Sequence, residues 1–410
     1  MRRLTIVSCL AISLLGATTM GCNGPTGSSQ TSSTVGSVNT SVAATTTTTT
    51  TSLPVITTQL PVTTTQPSPA EQLLQQMDLR QKAAQVLLLA VDGTTLSPGT
   101  RTLLVGGPPA GILLLERNVT GAAQLRALTT ALQEAAAVGS GVGLFIAVDQ
   151  EGGPVQRVRE GVPTVPAARS LGDEASPAEA DRLAEETATG LLALGVNMNL
   201  APVADVVGDK TSFLYQRTYG GEPTKVAAFV AAVTEAFSRG GLIAVVKHFP
   251  GHGSASGDTH GERVTSSATR ADFETTHLPP FRAAIKAGAE GVMLAHLIVT
   301  AYDPERPASQ SEVIIGGILR RDLGFTGLVV SDDLEMAAAG SAGPGETAVT
   351  ELEAGCDLLI SSGTATRQRE ALGAIVNAVE TGRLAPSRLD QAVLRVLTLK
   401  LQRGIIAPQP

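Results

Sequence analysis

Three of the chain's five histidines lie in residues 247–260, which read Lys-His-Phe-Pro-Gly-His-Gly-Ser-Ala-Ser-Gly-Asp-Thr-His. Imidazole titrates near neutral pH, so these side chains can transfer protons, and three of them with a carboxylate could also bind zinc. The apolar run 242–246 predicts a strand directly before them, and Pro250 with the nearby glycines opposes a helix. We therefore expect a loop at a strand end, where a rigid scaffold commonly displays catalytic side chains.

A zinc site would have to use His248, His252, His260 and Asp258. Zinc motifs with histidines four residues apart place both on one face of a helix. Phe249-Pro250-Gly251 interrupts any helix between the first two histidines. We therefore favour a site without a metal or another cofactor, and we expect His252 to be a structural residue bonded to the loop backbone.

From Ala70 onward, short runs rich in Val, Ile and Leu alternate with alanine-rich segments of helical length. Continuous apolar strands separated by helices indicate parallel strands that are buried on both faces. Eight such units in about 330 residues predict a single (β/α)8 TIM barrel in residues 70–410. The predicted strands are Gln85–Val91, Ala110–Leu115, Leu144–Asp149, Val196–Val203, Leu242–His248, Gly291–Ile298, Gly327–Asp332 and Cys356–Ser361. Predicted helices include Gly121–Ala137, Pro177–Leu194, Thr224–Arg239 and Asp272–Ala287.

An open doubly wound sheet is the alternative architecture. It would need a nucleotide-binding fingerprint after its first strand, and Gly106-Gly107-Pro108 is not one. A TIM barrel makes a stronger demand, because its chemistry collects at the carboxyl ends of the strands. Five predicted strands end in, or are followed by, a polar residue of catalytic type, namely Asp149, Asp205, the Lys247-His248 pair, His296 and Asp332.

Four motifs resemble glycoside hydrolase family 3, specifically its β-N-acetylhexosaminidase branch. The resemblance extends from about Met77 to Gly404 and implies a barrel that hydrolyses glycosidic bonds through a covalent glycosyl-enzyme. Pro154 stands where the family has an arginine, so the contact made by that arginine is missing here. The motifs are Asp-Gln-Glu-Gly-Gly-Pro-Val-Gln-Arg at 149–157, Gln-Arg-Thr-Tyr-Gly at 216–220, the histidine-rich stretch 247–260, and Ser-Asp-Asp-Leu-Glu-Met at 331–336.

The resemblance implies the catalytic residues. Asp332, directly after the serine of the last motif, corresponds to the nucleophile that attacks the anomeric carbon. His260 corresponds to the acid/base and Asp258 to its partner, and a neighbouring carboxylate indeed stabilises a protonated imidazole and fixes its tautomer. Asp333 is expected to cap the following helix. The resemblance gives Glu151 no role as a general acid.

The same resemblance implies the substrate-binding residues. Asp149 is expected to hold sugar hydroxyls, and Arg157 to contact the sugar or brace Asp149. A surface ion pair is the alternative for Arg157, because charged loop residues are often merely solvated. Arg217, Lys247 and His248 are expected to complete the pocket.

The first 21 residues have the pattern of a secretory signal, with two arginines, an apolar stretch and small residues before Cys22. The apolar stretch is too short to span a membrane. Thr19-Met20-Gly21-Cys22 resembles a bacterial lipobox, which implies lipidation of Cys22, and ordinary secretion is the alternative. Residues 22–69 are rich in Thr, Ser, Gly and Pro, a composition that predicts a disordered tether.

Composition narrows the possible partners. The formal net charge is −7, and it becomes −9 when the first 21 residues, with two arginines and no acid, are removed. An acidic chain argues against nucleic acid and against electrostatic binding to anionic lipid, which leaves the lipid anchor as the only membrane contact. The chain has no Trp and three Tyr, which favours a small polar pocket for one terminal sugar over a long aromatic cleft. Cys356 lies in an apolar run and is predicted to be buried and unreactive.

We therefore expect a monomeric, lipid-anchored exo-β-N-acetylhexosaminidase on the outer face of the cytoplasmic membrane. Its substrates would be muropeptides or chitooligosaccharides, and its role would be peptidoglycan turnover. A family 3 β-glucosidase is one alternative, but it would leave Asp258-Thr259-His260 unexplained. A phosphorylase is another, because a histidine acid/base tolerates anionic phosphate better than a carboxylate would. A non-catalytic sugar-binding lipoprotein would need neither Asp332 nor His260.

Overall fold

The computed structural model describes residues 66–406. The predicted signal sequence, Cys22 and nearly all of the predicted tether lie outside these residues. The first helix begins at Pro69, beside the expected domain start at Ala70. Ser68 caps this helix, because its hydroxyl accepts the N–H of Glu71 while the Glu71 carboxylate accepts the N–H of Ser68.

Eight parallel strands form a closed barrel in which each strand pairs with its neighbours in the sequence, and the last pairs with the first. The TIM barrel predicted from the sequence is confirmed, and each of the eight predicted runs overlaps one barrel strand, although the fifth and seventh strands each extend one residue beyond their runs. The strands, numbered one to eight below, are Leu87–Ala90, Gly111–Leu114, Phe145–Val148, Met198–Asn199, Ile243–Phe249, Gly291–Leu294, Leu328–Asp333 and Leu358–Ser361.

The barrel strands are buried on both faces because alternate side chains point inward and outward. In the first strand, Leu88 belongs to the apolar interior of the barrel, whereas Leu87 and Leu89 pack beneath the surrounding helices. Phe145 and Met198 also fill the interior. Two apolar layers therefore hold the strand ends in fixed positions, which a site at those ends requires.

Helices surround the barrel and agree with the predicted segments to within a few residues, with one exception. The predicted helix Asp272–Ala287 contains a π-helical turn at Phe273–His277, because Pro279 and Pro280 lack N–H donors that a continuous α-helix would need. The α-helices are Pro69–Gln76, Leu79–Ala84, Pro98–Val105, Ala122–Ser140, Ala168–Glu174, Pro177–Ala193, Pro223–Gly240, Arg270–Asp272, Leu278–Lys286, Pro344–Ala354, Ala365–Glu380 and Pro386–Gln402, and a second π-helix spans Val313–Asp322.

The fourth strand is much shorter than its prediction, which extended from Val196 to Val203. Pro202 has no N–H to donate, and beyond Asn199 only an isolated bridge joins Val203 to Lys247. The side chain of Asn199 compensates for the missing ladder. Its amide donates to the carbonyl of Gln150 at 2.9 Å and its Oδ1 accepts the Gln150 N–H at 3.0 Å. The loop after the third strand is therefore anchored to the fourth.

The predicted strand Gly291–Ile298 is divided in two. The sixth barrel strand ends at Leu294, and Leu297–Val299 joins a small accessory sheet with Val264–Ser266 and Asp303–Pro307. His296 lies in the short connection between the two parts. The accessory sheet therefore fixes both the chain that follows His296 and the chain that follows the histidine-rich loop.

Within residues 66–406, no helix has the length and apolar character needed to cross a membrane. Cys356 is fully buried, its Sγ lies 3.5 Å from the carbonyl oxygen of Ser309, and burial raises the pKa of its thiol. The prediction that Cys356 is buried is confirmed.

Candidate active site

Asp332 lies near the carboxyl end of the seventh strand, with the N–H of Asp333 donating to its Oδ1 at 2.9 Å. Burial alone would raise the pKa of Asp332. Nearby positive charge, that of His248 above all, and the hydrogen bond from the Asp333 N–H outweigh burial, so the pKa of Asp332 lies below its ordinary value. Asp332 is therefore an ionised carboxylate at the end of the barrel where a nucleophile is expected.

Asp333 points away from this site and caps no helix, contrary to the prediction. Its carboxylate accepts the N–H of Glu335 at 3.2 Å, the N–H of Ser362 at 3.0 Å and the Ser362 hydroxyl. The short 3-10 helix that follows, Ala337–Ala339, has no side-chain cap. Asp333 instead ties the seventh strand to the loop after the eighth.

Lys247 is the centre of a buried ion network. Its Nζ lies 2.6 Å from Oδ1 of Asp149 and 2.7 Å from Oε1 of Glu151. Arg217 forms a two-pronged pair with Glu151, with both N···O distances at 2.8 Å. Burial alone would lower the pKa of Lys247, but the two carboxylates keep it above its ordinary value, so the ammonium stays charged.

Glu151 is excluded as a general acid by the same network, in agreement with the sequence interpretation. Burial alone would raise its pKa, but Lys247 and Arg217 together lower it from 4.5 to about 2. A carboxylate that holds no proton near neutral pH cannot donate one. Glu151 positions Lys247 and Arg217, and the partly exposed Asp149 is left to face a ligand.

The lowered pKa of Glu151 predicts a pH dependence of folding. Above pH 4.5, its ordinary pKa, Glu151 is ionised in both states and its full contribution is present. As the pH falls towards 2, the unfolded chain binds a proton that the folded site does not, so about 3 kcal/mol of stability is lost. The free energy of unfolding, measured with denaturant at several pH values across this range, should therefore fall more steeply with decreasing pH for the native chain than for Glu151→Gln. Equal pH dependence in the two chains would contradict the lowered pKa of Glu151.

His248 is held by Asp205, which follows the short fourth strand. Oδ2 of Asp205 lies 2.7 Å from Nδ1 of His248 and accepts the His248 N–H at 3.2 Å, while Oδ1 accepts the N–H of Gly253 at 3.2 Å. A Cβ at Gly253 would come within 2.4 Å of the carbonyl oxygen of Val206, so only glycine permits this approach. With Nδ1 engaged, Nε2 of His248 remains for the site.

Asp258 and His260 form a pair on the loop after the fifth strand. Nδ1 of His260 lies 2.6 Å from Oδ1 of Asp258, and 62% of the His260 side chain is exposed. The loop is fixed to the segment after the seventh strand, because the N–H groups of Ala337 and Ala338 donate to the carbonyls of His260 and Thr259 at 3.4 and 3.3 Å. The predicted pair therefore exists, and its Nε2 faces accessible space.

The histidines of the loop do not converge on a common point. His248 is bonded to Asp205, and Nε2 of His252 lies 3.0 Å from the Thr259 hydroxyl rather than bonding to backbone as predicted. Burial lowers the pKa of His252, which is therefore neutral. In the part of the chain that the structure describes, no group of three or more His, Cys, Asp or Glu is arranged to hold a metal ion.

Arg157 does not brace Asp149. Its nearest carboxylate is that of the exposed Glu116, at 3.8 Å, and its side chain is 29% exposed. The alternative of a surface ion pair fits this geometry better, although the distance is long for a strong pair. A contact between Arg157 and a bound sugar remains a prediction.

Phe213 is a site residue that the sequence interpretation missed. Its ring meets the rings of His252 and His260 edge-on, with centroids 5.2 and 6.2 Å away, and the Arg217 guanidinium lies 5.9 Å above it. A single phenylalanine in an irregular loop has no periodic signal. The one sequence signal that could have pointed to Phe213 is that aromatic residues are scarce in this chain.

A cavity of about 390 Å³ lies beside the Asp258–His260 pair. Its walls are the loop after the fourth strand, residues 207–213, and residues 253–258. The space is of the order needed for a small polar ligand. Asp258 lines this cavity, so a ligand there would be next to the Asp258–His260 pair.

The comparisons with known proteins agree with this geometry. The sequence profile of the glycosyl hydrolase family 3 N-terminal domain matches residues 78–399. A beta-hexosaminidase of Nitrosomonas eutropha is 37% identical over 334 residues, which cover 79% of this chain and 94% of that protein.

Two solved structures extend the agreement to three dimensions. A glycoside hydrolase family 3 beta-N-acetylglucosaminidase from a Paenibacillus species superposes with a TM-score of 0.79 and 38% identity, covering 82% of this chain. This chain spans 64% of that protein's length. A beta-N-acetylhexosaminidase from Beutenbergia cavernae gives a TM-score of 0.73 and 31% identity, covering 79% of this chain and 98% of its own. With the barrel and the aligned motifs, these matches establish that the chain belongs to glycosyl hydrolase family 3.

Proposed function

We propose that this chain is a retaining exo-β-N-acetylhexosaminidase that removes terminal N-acetylglucosamine through a covalent glycosyl-enzyme. The observation that carries the proposal is the pairing of two groups at one end of the barrel. Asp332 is half-buried and ionised there, and the Asp258–His260 pair lies on a loop that is hydrogen-bonded to the chain just after Asp332. One group supplies a nucleophile and the other a proton. The relatives named above as beta-hexosaminidases support the choice of sugar.

In the first step, an oxygen of Asp332 forms a bond to the anomeric carbon as the glycosidic bond breaks. Protonated His260 gives its Nε2 proton to the departing oxygen, and the hydrogen bond at Nδ1 to Asp258 stabilises the charged ring. In the second step, neutral His260 takes a proton from water while that water attacks the anomeric carbon. The bond to Asp332 then breaks, and both residues return to their initial states.

The ion network provides the sugar pocket. Asp149 uses one oxygen for Lys247, and its side chain is 20% exposed, so the other oxygen can accept a sugar hydroxyl. Lys247 and Arg217 can donate to ring hydroxyls, as can His248, whose Nδ1 is already held by Asp205. Most of these side chains are already held by hydrogen bonds or ion pairs without substrate, so few of them lose conformational freedom when substrate binds.

The role of His260 is tested by varying the leaving group. 4-Nitrophenoxide needs help from an acid, whereas 2,4-dinitrophenoxide leaves with little protonation. In the soluble fragment from Pro69 on, His260→Ala should therefore slow the 4-nitrophenyl N-acetylglucosaminide by about a hundredfold to a thousandfold, and the dinitrophenyl substrate far less, in its first step. The measurement is the burst of phenolate release.

Asp258→Asn is the matched control for this experiment, because it keeps the histidine but removes its charged partner. It should produce the same leaving-group dependence with a smaller loss. A uniform loss on both substrates would show that His260 is not the acid. Activity on the β-glucoside alone would make the chain a β-glucosidase, and phosphate-dependent release of sugar 1-phosphate would make it a phosphorylase. No turnover of any glycoside would favour the sugar-binding protein.

We further propose that the enzyme acts in the cell envelope on muropeptides or chitooligosaccharides, as a monomer anchored by lipid on Cys22. The lipobox-like sequence before Cys22 and the tether-like composition after it support this placement. The full chain expressed in a bacterium should partition into the detergent phase of Triton X-114, and Cys22→Ser should move it to the aqueous phase. A native chain found only in the aqueous phase would support ordinary secretion instead.

A further inference from the structure

A buried polar cluster lies behind the nucleophile strand and has no role in the mechanism above. It consists of His296, Ser309 and Glu351, all of which are at most 1% exposed. His296 follows the sixth strand, and Glu351 lies on the helix Pro344–Ala354 between the seventh and eighth strands. Desolvation of polar groups costs free energy, so side chains of this kind are seldom buried so deeply unless they have a structural or functional role.

The hydrogen bonds of His296 fix its tautomer. Nε2 lies 3.0 Å from the carbonyl oxygen of Asp333, and a carbonyl can only accept, so Nε2 carries a proton. Burial lowers the pKa of His296, so the ring is neutral and Nδ1 has no proton. Nδ1 must then accept, and the Ser309 hydroxyl lies 2.8 Å from it with Oε1 of Glu351 at 3.4 Å.

Glu351 completes this arrangement as a neutral acid. Burial raises its pKa well above the ordinary value, and the neighbouring hydroxyls of Ser309 and Ser331 do not prevent the rise. The negative charges of Asp332 and Asp333 act in the same direction. A protonated carboxyl group has one proton to donate, and Nδ1 of His296 and the oxygen of Ser309 are the acceptors beside it.

The cluster reaches the nucleophile through one residue. The carbonyl of Asp333 is held by His296, its side chain by Ser362, and its N–H donates to Oδ1 of Asp332 at 2.9 Å. Asp333, whose N–H orients the nucleophile, is thus held through both its carbonyl and its side chain. A carboxylate that must meet an anomeric carbon depends on such support, since small displacements of reacting groups are costly.

We propose that His296, whose Nδ1 meets Ser309 and Glu351 and whose Nε2 binds the carbonyl of Asp333, is a positioning residue for Asp332. The proposal rests on the proposed function, because it assigns the cluster to the nucleophilic step of that reaction. It concerns the attack by Asp332 and not the proton transfer by His260.

The test uses the dinitrophenyl N-acetylglucosaminide, whose first step depends on Asp332 and little on His260. His296→Ala should slow the burst about tenfold to a hundredfold and leave the half-saturating substrate concentration within about threefold. Glu351→Gln keeps a neutral donor of the same shape and should remain within about threefold of the native rate, whereas Glu351→Leu, which has no donor, should be clearly slower. A normal rate in His296→Ala would overturn the proposal, as would equal losses in Glu351→Gln and Glu351→Leu.

A second measurement does not depend on activity. The ¹⁵N spectrum of the imidazoles should contain one ring, absent from His296→Ala, that stays neutral with its proton on Nε2 at pH values where an ordinary histidine becomes charged. A charged ring, or a proton on Nδ1, would overturn the proposal even if the enzyme acted on no glycoside. Failure of the native chain to release dinitrophenol would reject the proposed function, and this spectrum would then decide the state of His296. Where His296→Ala does not fold, Glu351→Leu provides the kinetic comparison.

Discussion

Asp332→Asn is expected to reduce turnover of the 4-nitrophenyl N-acetylglucosaminide by about four orders of magnitude, as removal of a catalytic nucleophile commonly does. An amide cannot form the glycosyl ester, yet its oxygen can still accept the N–H of Asp333, so the site should keep its shape. Steady-state kinetics and a thermal unfolding midpoint measured on the same preparation would separate lost chemistry from lost structure.

Asp322→Asn is a suitable control for this prediction. Asp322 is exposed and pairs with the neighbouring Arg321, so its substitution should leave activity and stability unchanged. A fluorinated N-acetylglucosaminyl fluoride that accumulates the glycosyl-enzyme should add one sugar mass to a peptide containing Asp332 in the native chain only. Substantial activity in Asp332→Asn, or label on another residue, would show that the nucleophile has been misassigned.

Lys247→Met is expected to produce the second large effect, on stability and activity together. The substitution removes the ammonium from Asp149 and Glu151, so that Arg217 is the one cation of the described residues left beside the nearly fully buried Glu151 carboxylate. Loss of one partner from a buried ion pair costs about 3 to 5 kcal/mol of folding stability. Asp149 also loses the contact that orients it, so kcat/KM should fall by about a hundredfold or more. Denaturant unfolding and initial rates would measure the two losses.

The chain contains a matched control for this prediction in Lys400. That lysine is also fully buried, but its Nζ donates only to the neutral Gln85, at 2.9 Å, and burial lowers its pKa well below the ordinary value. Lys400→Met therefore removes no charge partner from a carboxylate, and it should cost much less stability and leave the kinetics unchanged. Similar losses in the two variants would show that the size of the side chain matters and its charge does not.

The periodic and positional features of this chain were predictable from sequence. Buried parallel strands give long apolar runs in the sequence, so all eight strands could be located. A polar residue at the carboxyl end of such a run is expected to lie in the active site. The resemblance then assigned roles to Asp332 and His260, and the structure brings their neighbours Lys247, Asp149 and His248 to the same end of the barrel.

The features that were missed depend on contacts between distant segments. Nothing in the local sequence of Arg217 indicates that Glu151 is its partner, and nothing in the helix that carries Glu351 distinguishes it from the many surface glutamates. The fourth strand was overestimated because an apolar composition continues past Pro202, while the hydrogen-bonded ladder does not. The prediction that Asp333 caps the following helix was wrong because its carboxylate is bonded to the loop after the eighth strand instead.

The two backbone hydrogen bonds from Ala337 and Ala338 to the loop of His260 have a consequence for protein engineering. They join two segments that are far apart in the chain, namely the loop that carries His260, the proposed acid, and the turn that follows Asp332, the proposed nucleophile. A graft that moves only residues 254–262 into another barrel would separate the carbonyls of Thr259 and His260 from these two N–H donors. Chimeras that exchange the acid of such enzymes should therefore treat both segments as a single transferable part.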